Sequence, residues 1–149
     1  MKKLERTALL EVPVEVAYEV IVDVLQYPAF LPGCEDVQVR ETHTQGLIAE
    51  VSVAGKGLKE SFVTANVHQP GERVVMQLQE GPFEHLRGEW LLTPLGEAGC
   101  KVHLTIEYAP KSVVARVLSG LADRVANRMV DAFSDRIIAQ HAVSRQSCQ

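Results

Sequence analysis

The sequence is poor in cysteine, and the cysteines it has are not paired. Cys34, Cys100 and Cys148 stand far apart, are odd in number and form no CxxC. A disulfide framework and a cysteine-built zinc site are therefore not expected, and free thiols in a reducing compartment fit better. Cys34 and Cys100 read as small buried apolar residues. Every apolar stretch is interrupted within a few residues, so no segment reads as a bilayer-spanning helix. The start, Met1-Lys2-Lys3-Leu4-Glu5-Arg6, has no apolar run behind it and reads as neither a signal nor a transit peptide; the expected location is the cytoplasm. None of the five histidines makes an HxxxH or HxH pair, so no histidine metal site is expected. GxSxG and Cys–His signatures are missing, and Gly55-Lys56-Gly57 lacks the pattern of a phosphate loop. Strong positive charge is missing too. The formal net charge is −4, with nine basic against sixteen acidic residues before residue 111 and six against three after it. A mildly acidic chain is a poor DNA binder, while its basic last stretch fits either a solvated helix face or a modest patch for RNA or an anionic surface.

What is present is the pattern of one globular domain. A chain of 149 residues is long enough for a sizeable core. Residues 1–143 are expected to form the domain, and 144–149 a frayed tail. Residues 3–11 suit a first strand. Pro13 falls where a first helical residue is expected, and Val16, Ala17, Val20 and Val24 mark an apolar helix face over 13–24. Tyr27-Pro28 should end that helix, leaving Tyr27 to Pro32 as a tight turn or a short second helix. Strand-like alternation then recurs over 35–43, 46–54, 58–68, 73–80, 83–93 and 100–108, with turn signals between. The last is the clearest: Val102, Leu104, Ile106 and Tyr108 alternate with Lys101, His103, Thr105 and Glu107. After Pro110, Ser112 is a suitable N-cap for a long helix to about residue 140. Val114, Leu118, Leu121, Val125, Met129, Ala132 and Phe133 would form its apolar stripe.

Short connections between successive strands force antiparallel neighbours. The apolar face of a twisted sheet must be covered, and the final helix is the element able to cover it. The predicted class is α+β: a curved antiparallel sheet of six to seven strands wrapped around a long C-terminal helix. Small inward residues (Ala49, Gly88, Ala122, Ala132) would leave space between sheet and helix. The walls of that space would be Val51, Val53, Phe62, Met76, Leu78, Leu86, Trp90, Leu104, Ile106, Leu121, Val125, Met129 and Phe133. An uncharged space of this kind selects an apolar ligand; the same stripes are equally the pattern of a filled core.

Three separated motifs stand in order: Tyr27-Pro28-Ala29-Phe30-Leu31-Pro32-Gly33-Cys34, Gly81-Pro82-Phe83-Glu84-His85-Leu86-Arg87-Gly88-Glu89-Trp90, and Met129-Val130-Asp131-Ala132-Phe133. Together, over about residues 3–140, they resemble the coenzyme-Q-binding members of the START-like (polyketide cyclase and lipid transport) superfamily. The resemblance implies a helix-grip fold and a cavity for a polyprenyl quinone such as ubiquinone. It places Tyr27, Pro28, Phe30, Leu31 and Pro32 near the cavity mouth, Gly81, Pro82, Phe83, Gly88 and Trp90 on the sheet, and Phe133 on the helix. In the eukaryotic branch the implied role is to bind ubiquinone and support respiration. In the bacterial branch a second role is implied: binding the large ribosomal subunit and blocking subunit association.

Few residues look equipped for catalysis. His43 lies at a strand end, His68 before a turn, His85 opposite Leu86, His103 on an outward face and His141 near the terminus, so all five read as surface histidines. Glu60 and Asn66 face inward if their strand keeps Phe62 inside; Asn66 would then be a donor for a quinone carbonyl. Otherwise both sit at strand ends in water. Trp90 is either a stacking surface for a flat ring or a core anchor. Tyr27 to Leu31 either gate the cavity, touch a membrane where a lipid is collected, or plug one end of the core. The leading expectation is a binding protein, not an enzyme, that needs no cofactor. It would hold an apolar polyisoprenoid quinone and deliver it to respiratory or biosynthetic enzymes, with transient contact at the inner membrane left open. The alternative is a toxin-like protein of the large ribosomal subunit. The third is an enzyme of cyclase or aromatase type.

Overall fold

The computed structural model describes residues 2–55, 58–110 and 122–147. Seven strands form a single antiparallel sheet: β1 (Lys2–Leu10), β2 (Cys34–His43), β3 (Gly46–Gly55), β4 (Leu58–Gln69), β5 (Arg73–Glu80), β6 (Phe83–Pro94) and β7 (Cys100–Pro110). Their order is β1-β7-β6-β5-β4-β3-β2, so the chain's first strand closes onto its last. From β2 onward each strand pairs with the next through a short turn, as their spacing requires.

The register sorts the side chains. Leu4 lies opposite Ile106, Trp90 opposite Leu104, and Val74 opposite Trp90, which puts all of them on one face. That face is concave and carries the helices: α1 (Val14–Val22), α2 (Tyr27–Phe30) and α3, described from Ala122 to Ser147. The other face is polar and carries ion pairs. Arg40 reaches Glu50 at 3.3 Å and Glu80 at 3.7 Å, bridging over Val63, which is 4 % exposed. Glu89 takes Arg87 at 2.9 Å and Arg73 at 3.5 Å. Edge strand β2 has two register shifts, at Cys34/Asp36 and Val39/Glu41, which spoil it as a template for further pairing.

Three local details differ from the sequence reading. Pro13 is the residue before α1, with φ −56° and ψ 144°, and its carbonyl accepts the Val16 N–H. A proline ring fixes φ but leaves ψ free to stay extended, so it serves here as the cap. The first helix ends at Val22, not near residue 24, and Val24–Gln26 adds a single 3-10 turn. Tyr27-Pro28 opens α2 instead of merely closing α1, because proline is well accommodated in a helix's first turn. At the other end α3 runs on through Ser147, past the expected stop near residue 140; Ala, Arg and Gln offer no breaker there. The expected N-cap Ser112, with Val114, Leu118 and Leu121, lies outside the described residues, as do the side chains of Ala122 and Val125.

Candidate functional site

Among the described residues the concave face is divided into a filled half and a half whose side chains are only partly buried, called here the open half. In the filled half Phe133 of α3 is 1 % exposed and is ringed edge-on by Trp90 at 5.0 Å, Phe30 at 5.1 Å and Tyr27 at 5.3 Å. Trp90 and Leu104 are each 1 % exposed and Tyr27 is 8 % exposed, so these residues are core rather than cavity wall. The Tyr27 hydroxyl donates to the Ile21 carbonyl. Burial, with Asp23 and then Cys34 adding, pushes this phenol well above its usual range, which keeps the donor proton in place.

The Tyr27–Pro32 segment therefore plugs one end of the core. Leu31 packs against the core, Pro28 is partly buried, and Phe30 has the Arg136 guanidinium over its ring at 5.4 Å. Pro32, Phe30 and Ala132 instead form the floor of an open outer groove of about 580 Å³, flanked by Arg128, Asp131, Asp135 and Arg136. Ala132 thus faces the outer groove, and Ala49, at 0 % exposure, is sealed in the core.

The open half lies toward the other end of the sheet. Val51, Val53, Phe62, Met76, Leu78, Phe83, Leu86 and Ile106 are all only partly buried there, and Met129 of α3 is partly buried against the core. A second aromatic group ends this half: Phe62 stacks on Phe83 at 6.1 Å, and Phe83 meets Tyr108 edge-on at 5.9 Å. The expected space at Gly88 is taken by a neighbour: a Cβ built there would lie 2.9 Å from the Met76 terminal methyl. Met76 therefore leans across β6, away from β4.

Strand β4 supplies the polar groups. Opposite Val53, Val51, Ala49 and Leu47 stand Glu60, Phe62, Thr64 and Asn66, so all four share the concave face. Asn66 is 4 % exposed, and its Oδ1 accepts a hydrogen bond from the Thr64 hydroxyl at 2.9 Å. That bond is the one recorded for the Asn66 side chain among the described residues, and it leaves Nδ2 as the free end of the amide. His68 continues the row, paired with Val74. The expectation that every histidine sits on the surface is corrected here: Nε2 of His68 is buried without a partner. Burial, with His43 adding, lowers the His68 pKa, which favours the neutral ring over the charged one. The parity with Phe62 was the signal for both residues. His103, in contrast, stands on the outer face, with Nδ1 2.6 Å from the Thr7 hydroxyl and Nε2 3.6 Å from Glu5.

Sequence reasoning missed Leu4 and Arg6, which β1 brings to the concave face; Arg6 donates to Asn127 of α3. Cys100 is buried and Cys34 partly so, both as free thiols. Burial is the main cause of their raised pKa, and neither is an activated nucleophile. Among the described residues no group of three or more His, Cys, Asp and Glu could hold a metal ion, and no helix is long and apolar enough to cross a membrane.

A curved seven-stranded antiparallel sheet closed on a C-terminal helix is the architecture of the START-like class. The chain belongs to the polyketide cyclase / dehydrase and lipid transport family, whose model matches residues 10–134. Its relatives include the ribosome association toxin RatA of Pseudomonas aeruginosa, 42 % identical over 89 % of this chain and 93 % of that protein. RatA of Vibrio cholerae is 38 % identical over 91 % of this chain and 95 % of that protein. Among solved structures, the Zhui aromatase/cyclase from Streptomyces sp. R1128 superposes with a TM-score of 0.84 at 20 % identity, covering 91 % of this chain and 93 % of that one. A START superfamily protein from Mycobacterium smegmatis does so at 0.80 and 18 % identity, covering 93 % and 98 %. At such identities these structures speak to the fold alone.

Proposed function

We propose that this protein acts on the ribosome, associating with the large subunit in the cytoplasm and blocking its joining to the small one. The observation that carries this is the match to RatA-named proteins along nearly the whole of both chains. Exposed Arg128 and the partly buried Arg136, in a final stretch with six basic and three acidic residues, supply cations for RNA phosphates. The test is sedimentation of separated subunits mixed with the purified protein. The expected result is fewer joined ribosomes and protein travelling with the large subunit, both effects fading as salt rises. Normal joining in the presence of excess protein would overturn the proposal.

A second reading concerns the interior and is favoured by the divided concave face. The open half holds an apolar ligand, a polyprenyl quinone in the first instance, and burial of its tail contributes about 0.8 kcal/mol per CH₂. On this reading the protein is a binder, which hands the lipid to respiratory or biosynthetic enzymes. Glu60 and His68 stand at opposite ends of one strand, about 25 Å apart at the usual rise, so they do not converge as an acid–base pair. Mass spectrometry of an organic extract is the check: a prenylated lipid is expected, and neither carriage nor uptake from vesicles would count against it.

A further inference from the structure

We propose that Asn66 is the anchor for the ligand's polar group, and that this group is an uncharged carbonyl on an otherwise apolar body. This rests on the second reading above, that the open half of the concave face holds a ligand.

The argument starts from satisfaction. Asn66 is 4 % exposed, so both ends of its amide need partners other than bulk water. The Thr64 hydroxyl meets Oδ1 at 2.9 Å. That bond also orients the amide, so Nδ2 is the end left over, and it is a donor only. With the residue 4 % exposed, Nδ2 keeps little contact with water, and a ligand acceptor would replace what it has lost. Asn66 lies at the border between the two halves: Leu47 on one side is 9 % exposed, while Met76 on the other is partly buried. Met76 leans toward Gly88, away from Asn66.

The same surroundings decide the charge of the ligand group. Asn66 is flanked in the sheet by Leu47 and Met76. Arg6 is two strands beyond Met76's neighbour β6 and is already bonded to Asn127 and the Glu5 carbonyl. The ionisable groups of the β4 row are Glu60, which is acidic, and His68, whose pKa burial lowers. Among the described residues a carboxylate beside Asn66 would meet no fixed cation to replace its hydration, since burial disfavours the charged form of His68. A ketone, quinone or ester oxygen would lose little and gain one hydrogen bond.

The test compares three probes by equilibrium dialysis: 2,3-dimethyl-1,4-naphthoquinone, 2,3-dimethylnaphthalene and 3-methyl-2-naphthoic acid. The methyl groups block addition of Cys34 or Cys100 to the quinone ring. The native protein is expected to bind the quinone roughly three- to tenfold more tightly than the hydrocarbon, the range of one net hydrogen bond, and to bind the acid worst. Asn66→Leu keeps the shape of the site and is expected to abolish the preference for quinone over hydrocarbon. Thr64→Val frees the amide to rotate and is expected to reduce the preference; it decides the matter if Asn66→Leu fails to fold. Equal binding of quinone and hydrocarbon by the native protein, or a preference that survives both substitutions, overturns the anchor while leaving the ligand-holding reading intact. Binding of the acid as tightly as the quinone overturns the neutral-carbonyl assignment. If no probe binds the native protein, the ligand-holding reading falls and the anchor falls with it.

Discussion

Deleting one phenyl ring from each half of the concave face should have very different costs. Phe133 is 1 % exposed and touches three other aromatic rings at 5.0, 5.1 and 5.3 Å. A Phe→Ala change in such a site costs about 3–5 kcal/mol, and loss of several edge-on partners pushes it to the upper end. Phe62 is partly buried and has one stacked partner, Phe83. Its truncation removes less surface from a place that is already partly accessible, and about 1–2 kcal/mol is expected. For a chain of this size each kcal/mol moves the melting temperature by about 3 °C. Phe133→Ala should therefore lose about 12–15 °C and Phe62→Ala about 3–6 °C. Urea unfolding gives the same comparison, with circular dichroism as the primary probe because Trp90, the single tryptophan, touches Phe133 and changes its own signal. The m-values should agree between variants, since neither change alters the surface exposed on unfolding by much. Phe62→Ala costing as much as Phe133→Ala would show that the two halves are packed alike, and the division of the face would be refuted.

Gly46→Ala should be severely destabilising, by about 3 kcal/mol or more in thermal or urea unfolding, because its Cβ would stand 1.8 Å from the Asn66 backbone oxygen, which no rotamer change relieves. Gly88→Ala meets only the flexible end of Met76, so its stability cost should stay near 1 kcal/mol, while the displaced methyl turns back toward Asn66 and weakens uptake of the naphthoquinone probe by dialysis. The His68 pKa is lowered by burial and then by His43. As pH falls, the unfolded chain takes up that proton before the native one does. This site's contribution to stability is therefore whole above the ordinary imidazole range and declines as pH falls through it toward the lowered native value. His68→Gln should flatten the stability profile between about pH 7 and pH 5; an unchanged slope in denaturant titrations would contradict the burial of its Nε2.

The strands were legible because their alternation is local. Lys101 to Tyr108 announces its two faces within eight residues, and the short Gly- and Pro-bearing turns leave antiparallel neighbours as the only arrangement. The pairing of β1 with β7 was not legible, since nothing in Lys2–Leu10 names a partner a hundred residues away. That pairing is what turns Leu4 and Arg6 inward. The division of the concave face was hidden for a related reason. Phe62 and Phe133 look alike as members of an apolar stripe, and only the packing of α2 and α3 makes one a core residue and the other an accessible wall. Asn66 was half legible: its parity with Phe62 placed it inside, but the Thr64 hydroxyl that fixes its orientation mattered only once both were known to be buried.

The residues that carry the family resemblance and those that line the open half are mostly different residues. Tyr27, Pro28, Phe30, Leu31, Trp90 and Phe133 build the packed end of the molecule, where three rings close around Phe133. Gly88 provides the seat for Met76. Both serve the packing of sheet against helix in this chain. Asn66, Thr64, Met76 and Leu78 belong to none of the three motifs, yet they stand together on β4 and β5 around the Asn66 amide. The motifs therefore mark the scaffold, while on the ligand-holding reading β4 and β5 would set what it holds. A relative with the same Tyr27-to-Pro32 plug and an apolar residue at the Asn66 position should hold a ligand without a carbonyl, or a filled core.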